Sequence, residues 1–328
     1  MAKPKQHIPA HLRYTIEQFR NEFPSDDVCL NFLKEQRWPG GITHCDKCGT
    51  ERKHHRVKGR TAYACDRCGN HIYPLAGTIF EKSTTPLHIW FEAMYRMAQT
   101  RCGISAKQIQ REMGVTYKTA WRMFKQIRML LKENIGPLGN KGNPVEVDET
   151  YHGGVRKGHR GRPLSGDKFK KPIVGMVERK GRVKAFAADN TKAETLMGLV
   201  KEHILPKSAV FTDEMPSYHG LKARGYRHRR IKHSAKVYVV GDIHTNTIEG
   251  FWSLIKRGIT GVYHQVSQKY LQSYLDEYTF RYNRRDSETP MFTWMLRRVS
   301  QTAVARPSVA ANKTLPALVR DSAEEQPF

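Results

Sequence analysis

Acidic residues are scarce in this sequence: 31 Asp and Glu stand against 56 Lys and Arg in 328 residues, a formal net charge of +25. That imbalance excludes the mixed-sign surface of an ordinary soluble enzyme and points to a polyanionic partner, double-stranded DNA foremost. Long apolar runs are missing too. No stretch approaches the roughly 18 uninterrupted apolar residues of a membrane helix, and Met1 to Gln18 is polar and basic without a signal-peptide core, so the expectation is a cytoplasmic chain with no membrane partner. Cysteine is sparse, at 6 residues, and its pattern excludes a secreted disulfide scaffold. Cys29 and Cys102 stand alone and read as small buried hydrophobes. Core material is ample: 39% hydrophobic and 10% aromatic residues exclude wholesale disorder, and the length predicts about two domains at roughly 150 residues each.

The other four cysteines form Cys45-x-x-Cys48 and Cys65-x-x-Cys68, with sixteen residues between the pairs. This is the spacing of a tetrahedral zinc site, and four thiolates leave no open position for substrate, so the expected role of Zn2+ is structural. The knuckles His44 to Gly49 and Ala64 to Gly69 are near-copies, each ending in a glycine that lets backbone N–H groups turn toward sulfur. A ribbon of this size buries too little to fold alone, and metal binding worth about 10–16 kcal/mol supplies the remainder. A thioredoxin-type redox reading lacks its strand-helix context. Between the knuckles, Arg60 to Ala64 reads as a strand beside a basic flank of Arg52, Lys53, His54, His55, Arg56, Lys58 and Arg60, suited to phosphate. Ahead of them Ser25 caps a short helix that Pro39-Gly40-Gly41 ends. Helix and ribbon together define a first domain over 14–80.

Residues 83–134 read as a helix-turn-helix segment. Ser83-Thr84-Thr85-Pro86 opens one helix, Ser105 caps a second over Ala106 to Met113, and Thr116 caps a third over Tyr117 to about Lys132. Ala120, Phe124, Ile127 and Leu131 repeat as a buried stripe, which leaves Tyr117, Lys118, Arg122 and Lys125 for a DNA groove. Periodicity alone also permits a plain three-helix bundle. The stretch 135–144, dense in Gly, Pro and Asn, reads as a linker, and the tail 306–328, which has no apolar period, as flexible.

The second domain, 145–300, begins with strands at 145–149, 173–178 and 182–187. A helix capped by Thr191 runs over 192–204, followed by a strand at 209–212, another within 226–232, and a helix from Asn246 to about Arg257. Strands that later alternate with helices predict a mixed sheet flanked by helices, so the chain as a whole is expected to be a multidomain α+β or α/β protein. Asp148 and Asp213 each end an apolar strand. Either one alone is most often a turn residue. Two carboxylates about 4 Å apart would repel by several kcal/mol without a cation between them, and hard oxygen ligands favour Mg2+ or Mn2+. Glu249 lies three residues after Asn246, the spacing of a capping box. At 100° per residue it also lies with Lys256 at the edge of a stripe of Ile248, Phe251, Trp252, Ile255 and Ile259.

Asp148-Glu149-Thr150-Tyr151-His152-Gly153-Gly154, Thr212-Asp213-Glu214 and the run His244 to Ile259, continued through Tyr278 to Arg285, resemble bacterial insertion-sequence transposases with a DDE catalytic domain and an N-terminal zinc ribbon, the ISXO-type group. The resemblance covers about Tyr14 to Arg298. It implies a ribonuclease-H-like fold with Asp148, Asp213 and Glu249 as the catalytic acids. These would hold two divalent ions that drive cleavage at element ends and joining of the freed 3′-hydroxyl to target DNA. It also implies an oligomer, most simply a dimer, that pairs two ends. Arg156, Lys157, Arg160 and Arg162 after Asp148, Arg229 and Arg230 after Asp213, and Lys256 and Arg257 after Glu249 are then placed to hold DNA backbone. Two other functions suit the same sequence: a hydrolytic nuclease of the same fold that never joins ends, and a DNA-binding regulator with a decayed catalytic domain.

Overall fold

The computed structural model describes residues 14–139, 142–153, 170–231 and 244–301, which cluster into two compact units. Arg156, Lys157, Arg160 and Arg162, and the tail 306–328, lie outside the described residues.

Of the described residues, unit 1 comprises 14–99, 106–130 and 288–301. Its helices α1 (Ile16–Glu22) and α2 (Asp26–Arg37) both start at hydroxyl caps: Thr15 forms a reciprocal capping box with Gln18, and Ser25 accepts from the Val28 amide. The cysteine segment supplies five short strands, β1 (His44–Cys45), β2 (Thr50–Glu51), β3 (His54–Arg56), β4 (Tyr63–Cys65) and β5 (His71–Ile72). β1 pairs with β2, and β3, β4 and β5 form an antiparallel sheet. The strand read from Arg60 thus begins three residues later, because Val57 and Ala62 first close a turn. Three helices follow, α3 (Leu87–Gln99), α4 (Ala106–Met113) and α5 (Tyr117–Leu131). Thr116 caps α5 through the Thr119 amide. Ser83 has another task, accepting from the Trp90 indole at 2.9 Å.

Residues 288–301, assigned by the sequence pattern to the second domain, belong to unit 1. The reason is aromatic packing: Phe292 on α9 (Met291–Gln301) lies against Tyr14, Phe19, Phe23 and Tyr95 at centroid distances of 5.5–5.9 Å.

Unit 2 comprises the described residues within 100–105 and 131–287. Its sheet is built from β6 (Val145–Gly153), β7 (Lys170–Glu178), β8 (Val183–Ala187), β9 (Ala209–Thr212) and β10 (Arg227–Arg230) in the order β10-β9-β6-β7-β8. The first three strands form an antiparallel meander, while β9 and β10 run parallel to β6. Helix α6 (Ala193–His203) and a 3-10 segment (Pro216–Arg224) cover one face, with Val145, Val147, Val174, Met176, Leu196, Val200 and Tyr218 in the core between them. On the other face Ile173, Val177, Val183 and Ala185 pack against α7 (Asn246–Gly258) and α8 (Leu271–Asn283). Burial on both sides is why Pro172 to Val177 reads as a continuous apolar run instead of an alternation.

Two sequence expectations are corrected here. The N-cap of α6 is Lys192, not Thr191, with no side-chain cap; Asn190 steadies the approach, its side chain taking the Lys192 amide at 2.9 Å and the Thr195 hydroxyl at 2.8 Å. The segment read as a linker is tied into this unit: Leu138 is fully buried, bridges to Ile204, and its backbone bonds to His203 and Leu205. One apolar side chain among Gly, Pro and Asn is enough to anchor it.

Candidate active site and metal centre

Strand β6 sorts its side chains by the period of two. Val145 and Val147 enter the α6 face, so Glu146 and Asp148 point toward α7. Asp148 lies opposite Gly175 of β7 in the ladder. The absence of a side chain at Gly175 makes room for an indole, since a Cβ there would lie 2.5 Å from Trp252 Cη2 and 2.8 Å from Ile248 Cδ1. Trp252 fills this space and donates its Nε1–H to Asp148 Oδ2 at 2.9 Å. The β6–β9 pairing of Glu146 with Phe211, continued two residues, brings Asp148 level with Asp213 just past the end of β9.

Burial pushes the Asp148 carboxyl up to about 6; the Trp252 bond opposes this, and Asp213 and Glu249 add to it. Asp213 and Glu249 therefore both lie near enough to act on Asp148 electrostatically. Asp213 is fixed by accepting the Met215 amide at 3.0 Å, and Glu249 by accepting the Thr245 hydroxyl at 3.1 Å. The N-cap of α7 is Thr245, one residue before the Asn246 of the expected capping box. The neighbouring acid Glu149 takes the hydroxyl of the buried Tyr218 at 3.0 Å. A cleft of about 400 Å³ is lined by Asp148, Glu149, Thr150, Glu249, Trp252, Ser253, Lys256 and Arg257.

The basic residues divide by exposure. Lys256, Arg257, Arg229 and Arg230 are exposed, and Lys118 and Lys125 are exposed on α5. Arg122, read from sequence as a groove contact, is half-buried and donates to Ser83 at 3.2 Å beside the Trp90 ring. In the ribbon flank, Arg56 pairs with Asp27 at 2.8 Å.

The four cysteines fold together, with Cys45 and Cys68 sulfurs 3.6 Å apart, Cys48 and Cys65 3.9 Å apart, and all four atoms within 4.8 Å of one another. A tetrahedron of sulfurs at Zn–S distances of about 2.3 Å has edges of about 3.8 Å, so the residues fit zinc. Hydrogen bonding among the thiols, Cys68 first, pushes Cys48 up to about 12, and a cation that binds thiolates reverses this. Gly49 and Gly69, both at positive φ, donate their N–H groups to the carbonyls of Cys45 and Cys65. These amides therefore close the knuckles instead of turning toward sulfur. Among the described residues, the four thiols are the only set of metal-ligating side chains this close together.

An ISXO2-like transposase domain model matches residues 140–283, and a transposase zinc-ribbon domain model matches 24–71, together more than half of the chain. The chain belongs to the ISXO2-like transposases. Among its relatives, an uncharacterized protein in transposable element ISH50 of Halobacterium salinarum is 28% identical over 278 residues, covering 79% of this chain and 91% of the relative. An uncharacterized transposase-like protein of Haemophilus influenzae is 28% identical over 107 residues, covering 33% of this chain and 85% of its own length. A crystal structure of a pre-cleavage Mos1 transpososome aligns over 62% of this chain and 75% of its own at 11% identity and a TM-score of 0.23, a level from which nothing about fold follows. Among the described residues no helix of the transposase is long and apolar enough to cross a membrane.

Sequence reasoning missed Glu146, Thr245 and the second task of Trp252. Glu146 left a trace, an acid between the two buried valines that open β6. Trp252 left none, because an indole in an apolar stripe reads only as core.

Proposed function

We propose that this transposase binds the ends of its element as double-stranded DNA, cleaves a strand there, and joins the freed 3′-hydroxyl to target DNA, with Asp148, Asp213 and Glu249 as the catalytic carboxylates. The observation that carries the reading is the convergence of Asp213 and Glu249, from two other segments, on Asp148, by strand register and by electrostatics, in a family member of +25 net charge. The sheet order, an antiparallel meander followed by two strands parallel to its first, supports a ribonuclease-H-like core.

Carboxylate oxygens gathered beside an open cleft are the donor set of a hard divalent cation. Magnesium or manganese held by Asp148, Asp213 and Glu249 supplies Lewis-acid stabilisation of the charge that develops in in-line phosphoryl transfer. The remaining tasks belong to the chain. Trp252 fixes the rotamer of Asp148, and Thr245 fixes that of Glu249. Lys256 and Arg257, on the cleft wall, hold the DNA backbone beside the acids, as Arg229 and Arg230 do from the edge strand. The exposed Lys118 and Lys125 on α5 suit a helix-turn-helix read of the element end, with the ribbon zinc purely structural. Pairing of two ends calls for an oligomer, most simply a dimer.

The test is incubation of the purified protein with a labelled duplex taken from the DNA flanking its gene and a supercoiled target, with magnesium or EDTA. Metal-dependent joined product is expected. Cleavage without joining would transfer the reading to a nuclease, and bound but uncut duplex would transfer it to a regulator.

A further inference from the structure

Helix α7 carries Glu249 and Trp252, so the site depends on where this helix begins. Its first amides are not capped by a residue of the helix or by the chain entering it. The Thr247 N–H donates to Glu146 Oε2 at 2.9 Å, the Ile248 N–H to the same oxygen at 3.0 Å, and the Thr247 hydroxyl to Oε1 at 2.9 Å. Glu146 is fully buried and sits on β6 two residues before Asp148. Its charge is met by Arg179 Nε at 2.7 Å, with His244 Nδ1 at 3.3 Å. Arg179 in turn donates Nη2 to the His244 carbonyl at 2.8 Å and so holds the chain entering the helix.

One carboxylate thus ties the strand of Asp148 to the helix of Glu249. Helix N-terminal amides accept a negative group readily, but satisfying them from a neighbouring strand also fixes the helix in translation and rotation against that strand. A slip of one residue along α7 would turn Glu249 by about 100° away from Asp148.

We propose that Glu146 is a positioning residue: by capping α7 from β6 it sets the place of Glu249 relative to Asp148, and so the ability of the acids to share a divalent cation. This rests on the catalytic reading above. Groups behind first ligands typically tune metal affinity or activity by 10–100-fold, and that is the range expected here.

The test compares wild type, Glu146→Gln, Glu146→Ala and Thr247→Val, with Asp148→Ala and Glu249→Ala as controls. Three quantities are measured: Mn2+ affinity of the DNA-free protein by electron paramagnetic resonance, amide hydrogen exchange at 246–252, and kcat and Kd on the end duplex. Glu146→Gln keeps the size of the side chain and removes the charge. It is expected to fold, to weaken Mn2+ binding about 10-fold, to lower kcat by a similar factor with duplex Kd unchanged, and to speed exchange at Thr247 and Ile248. Thr247→Val, which deletes one donor, is expected to shift Mn2+ affinity in the same direction by a smaller factor. Removing one partner of a largely buried ion pair can prevent folding, so should Glu146→Ala not fold, Glu146→Gln and Thr247→Val decide. Folded Glu146→Gln with wild-type Mn2+ affinity and kcat overturns the proposal. Asp148→Ala and Glu249→Ala that bind Mn2+ as wild type does would instead overturn the catalytic reading.

Discussion

The indole Nε1 of Trp252 lies 2.9 Å from Oδ2 of Asp148, and this bond joins the helix stripe that closes the core to the acid that faces the cleft. The same side chain buries apolar surface and fixes a carboxylate. Trp252→Phe should separate the two tasks. The ring keeps its place, while Asp148 loses a donor that lowers its pKa, a hydrogen bond to a charged group worth about 1.5–3 kcal/mol. Cleavage at pH 7 is expected to fall about 10-fold, the acid limb of the pH–rate profile to move to higher pH, and duplex Kd to stay as it is. An unchanged acid limb would show that the bond does not hold the carboxylate's charge.

The ionisation of Asp148 should also be visible in stability. A carboxyl whose pKa is raised on folding favours the folded state fully below its unfolded value of 3.8, and that contribution is lost as pH rises through about 6. In EDTA, wild-type stability is expected to decline over this window, and Asp148→Asn to decline less. At pH 7 the Asn variant should be the more stable by on the order of 1–3 kcal/mol. Chemical denaturation at several pH values measures this, and parallel pH profiles for the two proteins would contradict it.

Gly175 is predicted to be intolerant for reasons of space alone. Its backbone is ordinary, but an added Cβ would press on the rigid ring of Trp252, and overpacking of this kind costs about 1–3 kcal/mol. Gly175→Ala should lower the denaturation midpoint and, by displacing the indole, reduce cleavage beyond what stability explains. A variant with wild-type midpoint and rate would mean that the ring yields freely.

The ribbon should depend on its metal while the sheet does not. Cys65→Ser, or chelation of the wild type, is expected to release zinc and open residues 43–72 to protease, while the 145–178 strands stay protected. Limited proteolysis followed by mass spectrometry distinguishes this from unfolding of the whole chain, which would assign the zinc a wider role.

Much of this organisation is legible in the residues because it rests on local rules. The cysteine spacing, the helices at 106–113 and 117–131, and the strands that carry Asp148 and Asp213 follow from ligand geometry, caps and apolar period. What is not legible rests on partners distant in sequence. Thr191 reads as the cap of α6, yet the fold sets the N-cap one residue later, at Lys192. Leu138 looks like linker until β7, α6 and Ile204 are in place around it. Glu146 acts across 101 positions on Thr247, and no local pattern encodes that pairing. Phe292 belongs to an aromatic cluster whose other members lie before residue 96, so the period of α9 could not assign it to a unit.

The central claim, that Asp148, Asp213 and Glu249 form one catalytic site, is tested most directly by end cleavage and joining with Asp148→Ala, Asp213→Ala and Glu249→Ala, measured beside binding of the same duplex. The account predicts that each substitution alone abolishes both products in magnesium while duplex affinity stays within a few-fold of wild type. Any one of the three variants that cleaves and joins at the wild-type rate would contradict it.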